Sequence, residues 1–156
     1  MKDESQIPSI HVSISGQTLS LLGPGEEQRR EYPVSTSQFG LGTESGSFKT
    51  PVGRFEIARK IGGGAALGAV FKGRAPTGEI GDASNPGDLI QTRILWLHGL
   101  DAENANTLDR YIYIHGTNHE EQIGTPASHG CVRMRNADVA EIYEFVSEGT
   151  PVLIQP

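Results

Sequence analysis

The chain has 156 residues, 36% of them hydrophobic, with a single cysteine and a formal net charge of −6. That length supports one globular domain with a core of its own, and one cysteine excludes an intrachain disulfide. The acidic balance argues against nucleic acid or an anionic membrane surface as the principal partner.

Residues 1–7 read as an N-terminal extension and 8–156 as a single domain. Met1-Lys2-Asp3-Glu4-Ser5-Gln6 is hydrophilic, and no apolar stretch of export-signal length follows it. As the chain stands, the expectation is a cytoplasmic protein without a membrane span, or a periplasmic one if a leader has been removed. Ile10, Val12 and Ile14 alternate with polar residues, Gly16-Gln17 makes a turn, and Thr18 to Leu22 gives a second apolar run, so the chain opens with a hairpin. Further strands are expected at Glu31 to Ser35, Arg54 to Arg59, Ile94 to Leu97, Tyr111 to His115 and Val152 to Ile154. Gln38 to Lys49 and Gly62 to Gly87 are rich in Gly, Ser and Pro and read as loops. Short strands separated by turn signals predict a mainly β fold of sandwich or barrel type with long loops.

One helix is expected near the C-terminus. Val139, Ile142, Tyr143 and Val146 recur at helical spacing, Asn136 is placed to cap the first turn, and Asp138 and Glu141 complement its positive end. Gly149 and Pro151 stop it.

The chemistry concentrates just before that helix, in Ser128-His129-Gly130-Cys131-Val132-Arg133-Met134, with His115-Gly116 sixteen residues upstream of the cysteine. A lone cysteine is often a buried structural residue, but such a residue sits among apolar neighbours, and this one is bracketed by Ser, His, Gly and Arg. Cysteine attacks as the thiolate and therefore needs a base or positive charge beside it, so the pattern points to a nucleophilic site. By spacing alone, His115 and His129 compete as the base. The backbone N–H groups of Gly130 and Cys131 are expected to stabilise an oxyanion. Ser128 is expected to hydrogen-bond within the loop or to substrate, and His98-Gly99 reads as structural.

The pair His115-Gly116 followed by Ser128-His129-Gly130-Cys131-Val132-Arg133 resembles the signature of the L,D-transpeptidase catalytic domain (YkuD) family. Tyr32-Pro33-Val34-Ser35-Thr36 and Thr50-Pro51-Val52-Gly53-Arg54-Phe55 are similar to two further segments of that family. The resemblance runs from about residue 8 to the end and implies a cysteine acyltransferase of YkuD-like fold acting on peptidoglycan stem peptides. It implies Cys131 as nucleophile, His115 as base, the Gly116 carbonyl as the group orienting that base, and His129 as a residue shaping the site. It also implies Arg133 as a ligand for a substrate carboxylate. The bond attacked would join a third-position diamino acid to D-alanine.

No cofactor is expected. A zinc site built from His115, His119, His129 and Cys131 is the alternative by residue type, but His115 and His119 share a face only on a helix, which Gly116-Thr117-Asn118 does not favour. A non-catalytic peptidoglycan-binding module is a further alternative. The acyl group passes to water in an L,D-carboxypeptidase or to an amine in a 3-3 transpeptidase. Because Gly62 to Gly87 reads as a flexible loop with few anchors for a second peptide, water is the expected acceptor.

Overall fold

Ile10 and Val12 on β1 (Ser9–Ser13) and Leu19 and Leu21 on β2 (Thr18–Leu22) are buried, while Ser9, His11, Ser13, Thr18 and Ser20 between and beside them are partly exposed. A period of two therefore fixes the register of the opening hairpin. The computed structural model describes residues 8–156. The expected extension and hydrophilic start lie outside the described residues.

The chain continues through β3 (Gln28–Ser35), β4 (Gly53–Ile61), β5 (Ala69–Lys72), β6 (Ala75–Ile80), β7 (Ile90–Gly99), β8 (Tyr113–Gly116), β9 (Val132–Met134), α1 (Asn136–Phe145) and β10 (Pro151–Gln155). The sheet order is β4-β10-β1-β2-β3-β9-β8-β7-β5-β6, and β4 also pairs with β7. Eight strands thus close on themselves, with β5 and β6 extending from β7 outside the closure. The mainly β architecture with one C-terminal helix is the one the sequence predicts.

Most of the closure is antiparallel, but β1 pairs with β10 in parallel, and so does β8 with β9, joined by the residues between Gly116 and Val132. Ile114, Val132 and Met134 face the main core, where they meet Val139, Ile142 and Val146 of the helix and the segment after it. Each such aliphatic side chain contributes about 1.5–3 kcal/mol by leaving water. Tyr113, His115 and Arg133 alternate onto the opposite face, so one strand pair serves both core and site.

Four elements differ from the sequence reading. The stretch Gly62 to Gly87 is not wholly loop, because β5 and β6 form a hairpin within it. Its Gly73-Arg74 corner takes positive φ at both residues (57° and 66°), as a two-residue hairpin turn with the right-handed strand twist requires. All of β6 is exposed, so no apolar alternation announces it. β9 lies inside the motif, hidden by the polar residues around it. Tyr111 precedes its strand, with φ 56°, and β8 begins at Tyr113.

Asn136 does not cap the helix, whose boundary residue is Arg135, without a side-chain cap bond. The Asn136 amide instead donates to Gln91 Oε1 (3.0 Å) and the Thr117 carbonyl (3.1 Å), while its oxygen accepts from Thr92 Oγ1 (2.7 Å). That bonding ties the helix start to β7 and to the segment after β8. Val146 ends the helix, and Gly149, with φ 91°, belongs to the following turn.

Candidate active site

The parallel register pairs Ile114 with Val132 and His115 with Arg133. Cys131 immediately precedes this ladder, beside Tyr113, on the face that carries His115. At strand spacing, Cys131 and His115 are about 8 Å apart between α-carbons, a gap that a thiol and an imidazole narrow with their side chains.

His115 is 1% exposed, and its Nδ1 lies 2.5 Å from the Gly116 carbonyl. A carbonyl only accepts, so Nδ1 carries the proton and Nε2 is the ring's acceptor. Burial holds the His115 pKa below its usual value, and the charge of Arg133 adds to this, while Asp88 and the Gly116 carbonyl act in the other direction. The imidazole is thus biased towards its neutral form, with Nε2 as acceptor.

The Cys131 thiol receives the Tyr113 N–H at 3.3 Å and donates to the Tyr111 carbonyl at 3.5 Å. Burial pushes its pKa up to about 11; the Tyr113 N–H, Arg133 and Arg110 lower it, and Asp88 raises it. The resting thiol is protonated and bonded to backbone. Any attack by it would need a base to take its proton.

The loop bearing it is held from several sides. Thr50 Oγ1 donates to the Gly130 carbonyl (3.0 Å) and accepts from the Ser37 N–H (2.9 Å). The N–H groups of Ala127 and Ser128 both donate to the Thr36 carbonyl (3.0 and 2.9 Å), and Gln38 N–H donates to the Ser128 carbonyl (3.0 Å). The two upstream segments that carry the family resemblance therefore act by bracing the loop. Gly130 has φ 122°, a conformation that favours glycine, and a Cβ there would also crowd the Lys49 carbonyl oxygen at 3.3 Å.

Several expected residues take different parts. Ser128 Oγ donates to the Cys131 carbonyl (2.6 Å) and accepts the Gly130 N–H (3.2 Å). That engages the Gly130 N–H and leaves the Cys131 N–H as the remaining expected oxyanion donor. Arg133 is 3% exposed rather than open to substrate; its Nη1 donates to Gln122 Oε1 (2.9 Å) and its Nη2 pairs with Asp88 Oδ2 (2.8 Å).

His129 is half exposed, with its ring centroid 6.0 Å from that of Phe39 and 5.9 Å from that of Phe48. The Gln38 amide nitrogen lies 3.3 Å from its Nε2, and Asp88 Oδ2 lies 3.8 Å from its Nδ1. His119 turns elsewhere, to the Gly87 carbonyl (3.0 Å) and Glu121 (3.2 Å). The four side chains of the zinc alternative do not converge, and no group of three or more His, Cys, Asp or Glu suited to a metal occurs among the described residues. His98 pairs with Glu56 across β4 and β7.

The sequence reading missed Asp88, which approaches both His129 and Arg133. It also missed Arg74, whose guanidinium covers Trp96 (4.8 Å) and Tyr111 (5.2 Å) and donates to the Tyr113 hydroxyl (3.2 Å). The β5–β6 corner is thereby pinned beside the thiol. Two cavities border the site. One, of about 270 Å³, is lined by Phe48, Arg110, Tyr111 and His129; the other, of about 480 Å³, by Phe71, Asp88 and Ile90 among others. Phe71 and Ile90 belong to the apolar cluster against which Cys131 packs.

A barrel-like β fold that holds one buried, oriented imidazole on a strand and one thiol at the entrance to the parallel strand beside it defines a class of single-cysteine domains with a candidate acyl-transfer site. The L,D-transpeptidase catalytic domain model of the YkuD family matches residues 8–154, and the chain belongs to that family. It is 39% identical to "Putative L,D-transpeptidase YkuD" of Bacillus subtilis (strain 168), over 99% of this chain and 70% of that protein. It is 45% identical to "Putative L,D-transpeptidase YqjB" of the same organism over 38% of this chain and 32% of that protein.

Among solved structures, an L,D-transpeptidase from Xylanimonas cellulosilytica superposes with TM-score 0.62 at 19% identity, covering 99% of this chain and 63% of that one. L,D-transpeptidase 3 of Mycobacterium tuberculosis, solved with a faropenem-derived adduct, gives TM-score 0.60 at 19% identity, over 96% of this chain and 61% of that one. These superpositions show the YkuD fold. The chain thus spans under two thirds of these two solved chains and about a third of YqjB. Among the described residues, no helix is long and apolar enough to cross a membrane.

Proposed function

We propose that this domain transfers the acyl group of a peptidoglycan stem peptide through a Cys131 thioester. The observation that carries the reading is the placement of His115 on the strand beside Cys131, with its tautomer set by Gly116 so that Nε2 can accept a proton. Sγ attacks the carbonyl of the third-position residue as its proton passes to His115 Nε2, and the Cys131 N–H stabilises the oxyanion. Collapse of the adduct breaks the bond to D-alanine, whose amine takes the proton from His115, leaving the thioester.

An acceptor amine then gives a proton to His115, attacks the thioester and forms an amide, and the thiolate leaves and is reprotonated. The expectation of water as acceptor rested on a shapeless stretch from Gly62 to Gly87. The β5–β6 hairpin walls one cavity and a second lies on the other side of His129, which supports binding of one stem in each, so an amine acceptor is the better reading.

Purified protein incubated with a diaminopimelate tetrapeptide should release D-alanine and yield mainly cross-linked dimer, and Cys131→Ala should yield neither. Predominant tripeptide would return the acceptor to water. Turnover by folded Cys131→Ala would overturn the thioester.

A further inference from the structure

The cavity of about 480 Å³ presents apolar walls, among them Phe71, Leu89 and Ile90, and one carboxylate held in a fixed position, that of Asp88. Asp88 Oδ2 is taken by Arg133 Nη2 at 2.8 Å, whereas Oδ1 has no hydrogen-bond partner among the described residues, and the side chain is 31% exposed. Arg133 is nearly inaccessible, so the charge it was expected to offer substrate reaches the cleft only as an anchor for Asp88. Lys72 and Glu79, also lining the cavity, carry opposite charges. A methylene arm ending in an ammonium matches this combination, its carbons against the apolar wall and its nitrogen on Oδ1.

The placement relative to the thiol also fits. Phe71 and Ile90 join the cavity to the cluster containing Cys131, and Asp88 lies 3.8 Å from His129, two residues before the nucleophile. The side chain of a diamino acid spans roughly 6 Å from its α-carbon to its amine, taken from standard single-bond lengths. On the residue undergoing attack, an arm of that length would carry its amine away from the reacting carbonyl along the wall that Phe71 and Ile90 share with the cavity.

We propose that Asp88, oriented by Arg133, recognises the ammonium on the third-position diamino acid of the donor stem and so sets the specificity of acylation. This rests on the acyl-transfer reading above. A site arranged to bond an N–H group discriminates against the analogue that lacks it.

The test uses two tetrapeptides that differ only at position three, one with lysine and the other with norleucine, which keeps the carbon arm and lacks the amine. The kcat/KM for D-alanine release should favour the lysine stem about tenfold in the unmodified protein. Asp88→Asn should bring the ratio near one, and Asp88→Glu should restore part of it. Because the readout is a ratio within each variant, general damage from disturbing Arg133 cancels. Titrating the two peptides calorimetrically into Cys131→Ala protein reads the same preference without chemistry, so a preference retained there beside no D-alanine release by the unmodified protein would count against the acyl-transfer reading and not against Asp88. An undiminished preference in Asp88→Asn, or equal handling of both peptides by the unmodified protein, would overturn the proposal.

Discussion

The resting thiol supplies a prediction with a number attached. With its pKa near 11, about one Cys131 in 10⁴ is thiolate at pH 7, against about 3% of an unperturbed thiol of pKa near 8.5. The fraction falls roughly 300-fold. A more basic thiolate is also more nucleophilic, and a Brønsted coefficient of about 0.45 across 2.5 pH units returns roughly 13-fold. Alkylation of the folded protein by iodoacetamide at pH 7 should therefore run about 20- to 30-fold slower than that of the same chain unfolded in guanidinium. Followed by mass spectrometry, the rate should rise about tenfold per pH unit from 7 to 10 without a plateau. Because the thiol is bonded to Tyr111 and Tyr113 and not to His115, His115→Ala should keep that slope while losing D-alanine release by orders of magnitude. A plateau near neutral pH, with alkylation as fast as in the unfolded chain, would refute the reasoning and indicate a pre-formed thiolate–imidazolium pair.

Two further outcomes follow from the loop and the base. Thr50→Val removes a hydroxyl serving both the Ser37 N–H and the Gly130 carbonyl, so it should cost about 1–3 kcal/mol in urea unfolding and slow D-alanine release. An unchanged unfolding midpoint would contradict the bracing role. His115 has a folded pKa below its unfolded value, so it contributes stability that is present above about pH 6.5, the unfolded value, and lost as pH falls through the folded value. The urea midpoint should decline below pH 6.5, and His115→Gln should flatten that decline; an identical pH dependence in the variant would refute the assignment.

The parts of this architecture legible in the sequence are those that local pattern controls. Alternation in Ile10–Val12 and Leu19–Leu21 encodes strands, the spacing of Val139, Ile142 and Val146 encodes the helix, and the motif around Cys131 encodes the neighbourhood of the proposed nucleophile. What stayed hidden depends on tertiary partners. Asp88 sits in a stretch of Asp, Asn, Pro and Gly with no chemical signature, and only folding brings it to Arg133 and His129. Arg133 reads as an open anion site until Asp88 and Gln122 cover it. Asn136 has the composition of a cap, yet three buried partners outbid the helix end for its amide. The β5–β6 hairpin lacks a buried face along β6, so its corner at Gly73-Arg74 was its main local sign.

The central claim is a covalent intermediate on one atom, and intact-protein mass spectrometry reads it directly. Protein mixed with tetrapeptide and quenched in acid should gain the mass of the substrate less D-alanine, located by peptide mapping to Cys131 and absent from Cys131→Ala. Steady D-alanine release with no adduct at any quench time, and equal release by the Cys131→Ala protein, would contradict the account.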